Sequence, residues 1–286
     1  MKYPKISVIT PSYNQGVFLE RTILSILNQN YPNLEYIVCD GGSTDNSIDI
    51  IKKYEDKITW WCSEKDSGQS NAINKGFKKA TGDIVCWINS DDILLDGALE
   101  KYAYLHNTYP DCSIYMGQTM RIDNNDNIIF FHMIPKPYSF FYRNGIIGMA
   151  QQSWAWKRKE VFNKIGYLNE ERHACMDIEF LMRQIRAGFK FAYTRDTLGA
   201  IRIYEGTKTS MDNQGDNNIW TKDREILKKE FADFRYRNVS PIAYFLYRIF
   251  KIINGMSIRS YYLTQMYKGC KYSKYIIRTR LNKNPN

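Results

Sequence analysis

Asp83-Ile84-Val85-Cys86-Trp87-Ile88-Asn89-Ser90-Asp91-Asp92 is a run of apolar, β-favouring residues that stops at a polar knot. Apolar residues on both faces of the run predict a buried strand. The knot then lies at the carboxyl end of that strand. In an open α/β sheet, ligands bind in the crevice outside the carboxyl strand ends. Two adjacent carboxylates there need a cation to offset their charge. Hard oxygen ligands at such a place suit Mg²⁺ or Mn²⁺ carrying a phosphate. A solvated turn, with Asp91 or Asp92 capping the next helix, is the alternative that the two residues alone leave open.

Working outward towards the N-terminus, Gln69 to Ala80 predicts a helix closed by Thr81-Gly82. Before it lie a strand over Ile58 to Cys62 and a helix reaching Tyr54. A strand over Leu34 to Cys39 ends in Asp40-Gly41-Gly42-Ser43-Thr44-Asp45, and one over Lys5 to Thr10 ends in Pro11-Ser12-Tyr13-Asn14-Gln15-Gly16. Alternating strand and helix imply a parallel sheet wrapped on both faces. Three polar loops thus leave strand ends on one edge and predict a nucleotide pocket. Neither GxGxxG nor GxxxxGK[ST] is present, which argues against a dinucleotide enzyme or a P-loop ATPase.

Towards the C-terminus, Asp123-Asn124-Asn125-Asp126 separates two β-like runs and signals a hairpin. Strands are expected over Ser153 to Lys157, Phe189 to Thr194 and Leu198 to Tyr204, and helices over Lys159 to Ile165, Met176 to Ala187 and Asn218 to Phe231. Glu205 to Gly215 reads as a polar loop.

The 286 residues suffice for one large α/β domain and an appendage. The division expected is residues 1–215, the catalytic domain, and residues 216–286, a helical, basic, aromatic-rich extension. Of 40 Lys and Arg, eleven lie between Phe234 and Asn286, where there is no Asp or Glu; the remaining 29 face all 30 acids. The net charge of +10 therefore belongs to the tail, and the near-neutral body says nothing of its substrate. The six cysteines form no CxxC and read as reduced core residues; the three histidines are scattered. No apolar run is long enough to span a membrane, and the first residues lack the features of a signal peptide. A cytoplasmic protein is expected, peripheral on the inner face of the membrane.

Ile6 to Asn14, Asp40 to Asp45 and Asn89-Ser90-Asp91-Asp92, with Glu64 to Gln69 followed by Asn71, Asn74, Lys75 and Gly76, and with Met176 to Arg183, resemble the ordered motifs of family 2 glycosyltransferases. The likeness runs from about Lys5 to about Thr209. It implies the GT-A fold, an open, mainly parallel sheet flanked by helices, and an inverting, metal-dependent transfer from a nucleotide-diphosphate sugar. By this resemblance Pro11, Ser12 and Asn14 lie along the nucleotide, and Asp40 accepts a hydrogen bond from uracil or thymine. Asp66, Asn71, Lys75 and Ser90 join the nucleotide-sugar site. Asp91 is the metal ligand, with Asp92 as second choice. Asn89 departs from the usual Asp and contributes no charge. Tyr204 stands where an Arg-x-His segment carries its histidine, and Lys208 is placed to neutralise diphosphate. Asp177 matches the catalytic base.

The chemistry needs these residue types in any case. Displacing a nucleoside diphosphate requires charge stabilisation on the leaving group. The acceptor hydroxyl needs a base during attack. Asp177 in the first turn of a helix is held ionised by the helix dipole; locally it reads equally as a helix cap. Asp177 and Glu179 do not share a helix face and are no glycosidase pair. The acceptor expected is a glycan or lipid-linked hydroxyl in polysaccharide or glycoconjugate synthesis. Rival readings are a sugar nucleotidyltransferase and a non-catalytic, membrane-associated nucleotide-sugar binder. Pro241 to Ile253, apolar and aromatic with Arg248 and Lys251, suits an anionic membrane interface, or docks on the body; nucleic acid is not expected.

Overall fold

The computed structural model describes residues 3–136, 138–146, 150–207, 218–236 and 238–275. Strands β1 (Ile6–Ser12), β2 (Leu34–Asp40), β3 (Trp60–Ser63) and β4 (Ile84–Trp87) pair in parallel in the order β3-β2-β1-β4. Helices α1 (Gly16–Leu27), α2 (Ser47–Lys53) and α3 (Gln69–Lys79) connect them. The strands are buried on both faces because helices cover both sides of the sheet. Gly76 lets α3 lie against β1, since a Cβ there would meet Ile9 at 2.5 Å.

Beyond β4 the sheet becomes mixed. The short β5 (Ile93–Leu94) leads into α4 (Ala98–Thr108) and then the hairpin of β6 (Ile114–Ile122) and β7 (Ile128–His132). A short α5 (Ser139–Arg143) precedes β8 (Trp154–Lys157), which runs antiparallel between β4 and β6. Next come α6 (Arg158–Ile165), α7 (Met176–Arg186) and β9 (Phe191–Arg202). The two strands expected around residues 189–204 are one, β9, parallel to β6 with register shifts near Gln118. The sheet is open and flanked by helices as expected, but parallel pairing is confined to β3-β2-β1-β4 and β6-β9.

The C-terminal part forms α8 (Asn218–Glu230), α9 (Pro241–Ile253) and α10 (Met256–Tyr267). Leu227, Phe231, Phe234, Tyr236 and Met256 join the buried cluster that contains the sheet.

Candidate active site

A cavity of about 580 Å³ opens at the carboxyl ends of β1 and β4, between the first loop, the polar knot, the start of α7 and the end of β9. Its size suits a small-molecule ligand. Pro11, Ser12, Asp66, Asn89, Ser90, Asp91 and Asp177 line it, so the structure brings together residues from four of the five quoted motifs.

The two adjacent aspartates separate. Asp91 is half-buried in the cavity wall, where its carboxylate accepts a hydrogen bond from Tyr204 Oη at 3.2 Å. Burial and the charge of Asp91 push the Tyr204 phenol up to about 12, so it stays a donor. Asp92 is 2% exposed. Its oxygens accept from Arg202 N at 2.9 Å, Gln152 Nε2 at 2.8 Å and Asn89 Nδ2 at 3.0 Å. Burial, reinforced by Asp91, pushes its carboxyl up to about 8 against the pull of those donors. Asp92, the second choice for a metal ligand, also borders the cavity, and its carboxyl holds three chain segments together through these bonds. Asn89, itself in the lining, donates to Asp92 and accepts from Gln69 Nε2 at 2.8 Å. Gly199 permits this arrangement, because any side chain there would strike the Gln152 backbone.

Arg202 is the second organiser. It is fully buried, pairs with Asp126 at 2.7 Å, and donates to the carbonyls of Asp91 and Asp123. Its guanidinium lies 4.7 Å from the Phe18 ring centroid, and Phe18 in turn packs against Tyr204. Tyr204 therefore reaches Asp91 from a rigid base, in the place where a histidine was the expected residue.

Several other expectations are redistributed. Asp40 is 2% exposed and accepts from Gly42 N, Ser43 N, Ser43 Oγ and Ser63 Oγ at 2.5 to 3.1 Å, so it shapes its own loop and does not line the cavity. Asn14, in a left-handed conformation with φ 51°, joins that loop to the first one by accepting from Thr44 N at 2.8 Å. Asn71 donates to Glu170 at 2.7 Å and Lys75 pairs with Glu64 at 3.0 Å, both outside the lining. The carboxylate of that region that does line the cavity is Asp66, fixed by Gly68 N at 2.8 Å and lying over Gly41, where a Cβ would meet it at 2.5 Å. Lys208 lies outside the described residues.

Asp177 sits in the first turn of α7 and lines the cavity with His173 and Trp220. The entry to α7 is fixed from α8, where buried Asp223 accepts from Ala174 N at 2.8 Å and Cys175 N at 3.3 Å. That residue and the lining residues Arg121 and His132 carried no signal in the sequence, since none sits in a strand-end motif. Burial, with Arg121 and Lys251 nearby, holds the His132 imidazole down to about 4, so it is neutral.

Among known proteins, the chain is 26% identical over 249 residues to the glycosyltransferase GlyG of Streptococcus pneumoniae, covering 80% of each chain. It is 27% identical over 258 residues to the poly(ribitol-phosphate) beta-N-acetylglucosaminyltransferase TarP of Staphylococcus aureus, covering 82% of this chain and 74% of the relative. The stretch shared with an uncharacterized glycosyltransferase of Haemophilus influenzae, at 34% identity, covers 47% of this chain and 58% of the relative. In fold, the chain matches residues 1–349 of S. aureus TarS in complex with UDP-GlcNAc, with a TM-score of 0.59, 20% identity, and coverage of 81% and 74% of the two chains. Residues 7–166 match the model of the family described as "Glycosyl transferase family 2". With that match over more than half its length, a GT-A-like sheet and the motifs gathered at one cavity, the chain belongs to glycosyl transferase family 2.

Proposed function

We propose that the protein transfers a sugar, with inversion, from a uridine or thymidine diphosphate sugar to a hydroxyl of a glycan or lipid-linked acceptor. The observation that carries this reading is the convergence of Asp66, Asp91 and Asp177 on one cavity at the strand ends. Asp66 faces the place for the base and accepts its ring N–H, the role that the resemblance had assigned to Asp40. Ser12 and the Pro11 backbone flank the nucleotide.

The site fits one Mg²⁺ or Mn²⁺ held by Asp91, because such ions take few protein carboxylates and complete their shell with phosphate oxygens and water. A bound ion there would neutralise charge on the departing diphosphate. One relative by fold, a mannosyltransferase from Pyrobaculum calidifontis, is described in complex with GDP-Man and Mn2+. Lys208 is proposed to add a further positive charge.

Asp177 takes the proton of the acceptor hydroxyl as its oxygen bonds to the anomeric carbon and the bond to the diphosphate breaks. One base and one displacement give inversion. Asp223 positions Asp177 by capping the approach to α7, and the loop around residue 204 keeps Tyr204 on Asp91. Two relatives support the acceptor class: TarP is named for poly(ribitol-phosphate), and a Campylobacter jejuni relative, 38% identical over 100 residues, for a diphospho-undecaprenol-linked glycan.

The test is a donor screen. Purified protein with Mn²⁺, candidate nucleotide sugars and a lipid-linked glycan is followed for glycosylated product by mass spectrometry. Release of nucleoside diphosphate with a sugar added to the acceptor supports the reading. Release of pyrophosphate from a nucleoside triphosphate would assign the nucleotidyltransferase class instead.

A further inference from the structure

Helices α9 and α10 carry two kinds of apolar surface. Ala243, Tyr247 and Phe250 of α9 turn inward, and Phe250 meets Tyr138, just before α5, and Phe141 within it at centroid distances of 5.3 and 5.7 Å. Met256, Ser260 and Thr264 do the same for α10: Ser260 Oγ donates to Phe131 O at 2.6 Å, and Thr264 Oγ1 accepts from Phe131 N at 3.1 Å. These contacts account for the docking of both helices. A second stripe is not accounted for. Ile242, Leu246, Ile249 and Ile253 follow helical spacing on another face of α9, flanked by Phe245 and Ile252, and all six are exposed. On α10, Ile258, Tyr261, Tyr262 and Met266 extend the exposed surface. Together the two helices hold eleven of the twenty-one exposed large apolar and aromatic residues among those described. A contiguous patch of this kind marks a binding surface rather than ordinary scatter.

Charge says what covers it. Arg248 borders the stripe, Lys268 and Lys271 follow α10, and no acidic residue occurs from Phe234 onward. A second copy of this chain would bring the same positive field against itself. A surface that accepts apolar side chains and attracts cations is the headgroup region of an anionic bilayer. Among the described residues no helix is long and apolar enough to cross a membrane, so the pair lies in the interface plane. Exposed tyrosines at 244, 261 and 262 suit that depth, where an apolar ring and a polar tip are both satisfied.

We propose that the outer face of α9 and α10 docks on an anionic lipid surface, placing the cavity at the membrane to meet acceptors presented there. Strand β7 links the two places: Phe131 is clasped by α10, and its neighbour His132 lines the cavity. The membrane contact stands on the patch itself; its use in presenting an acceptor rests on the transferase reading.

The experiment is co-sedimentation of the full chain with vesicles of phosphatidylcholine alone or mixed with phosphatidylglycerol. Two variants accompany it: Ile242→Ser with Ile253→Ser, and Arg248→Gln with Lys268→Gln. Thermal melting confirms that each variant folds, and UDP titration on the same preparations reports the catalytic site separately. The expected result is binding to the mixed vesicles only, weakened about tenfold or more by either variant, with UDP binding retained. No binding to mixed vesicles, or equal binding to both kinds, would overturn the proposal. So would self-association, or binding to a short RNA, that the serine variant removes while vesicle binding is absent.

Discussion

Between Ile6 and Trp87, the strands bury almost every apolar residue; Ser7 and Glu35 pair near their amino ends, while Ser12 and Asp40 lie at the carboxyl ends. Between Ile242 and Met266, by contrast, large apolar side chains point outward although the helices that carry them are docked. Both stretches are rich in β-branched and aromatic residues, so composition does not separate them. The difference lies in what each has available to pack on. The strands have helices on both faces, whereas α9 and α10 have the protein on one face only. In the first region burial drives folding, and the unburied residues are the chemistry. In the second, folding is satisfied by one stripe, and the other remains for a partner.

The sharpest way to break this comparison is at the unburied chemistry of the first region's cavity. Asp177→Asn should lower transfer by about 10²- to 10⁴-fold while UDP affinity stays unchanged; turnover and titration on one preparation check it. Undiminished transfer would remove Asp177 from the base role.

The next effect concerns the buried half itself. Glu35 is buried; burial alone would raise its carboxyl, but Lys5, Ser7 and Thr81 outweigh that and hold it down to about 2. The folded-state value lies below the unfolded one of 4.5, so its contribution is present above that pH and is lost as the pH falls towards 2. Glu35→Gln should cost about 2 kcal/mol at neutral pH, allowing for screening at the exposed Lys5, and should flatten the acid limb of a plot of stability against pH. Denaturant melts across that range measure it.

A smaller effect separates two carboxylates near the nucleotide. Asp66→Asn should weaken UDP binding about tenfold with little change in melting temperature, since it exchanges a charged acceptor for a neutral amide at the proposed base contact. Asp40→Asn should instead lower the melting temperature, because four donors depend on it. Titration and melting of both variants decide; the reverse pattern would restore Asp40 to the base. The smallest effect is at the other end of the comparison. Ile253→Ser, at a site 77% exposed, should change stability by less than about 0.5 kcal/mol. A large loss in a melt would mean that the outer stripe is packed after all.

Much of the fold was readable because it follows local periodicity. The strand of residues 84–87, the Asp123 to Asp126 hairpin and the helix that carries Asp177 all announce themselves by spacing and turn chemistry. The insertion of β8 between β4 and β6, and the parallel pairing of β6 with β9, join residues far apart in sequence and leave no local signature. The site divides in the same manner. Its place at the strand ends was legible, and so were Asp91 and Asp177 as lining residues. The opposite orientations of Asp91 and Asp92 were not, because the donors that turn Asp92 inward come from Gln152 and Arg202, long after it in the chain. The loop bonds of Asn14 and Asp40 were not legible either, because loop-stabilising and ligand-binding roles call for the same residue types.

Calorimetric titration of UDP in the presence and absence of Mn²⁺, on the native protein and on Asp91→Ala, tests the central claim most directly. Mn²⁺-dependent binding to the native protein, abolished in Asp91→Ala, is the expected result. Equal binding by both proteins, or none by the native one with UDP, dTDP or GDP, would contradict it.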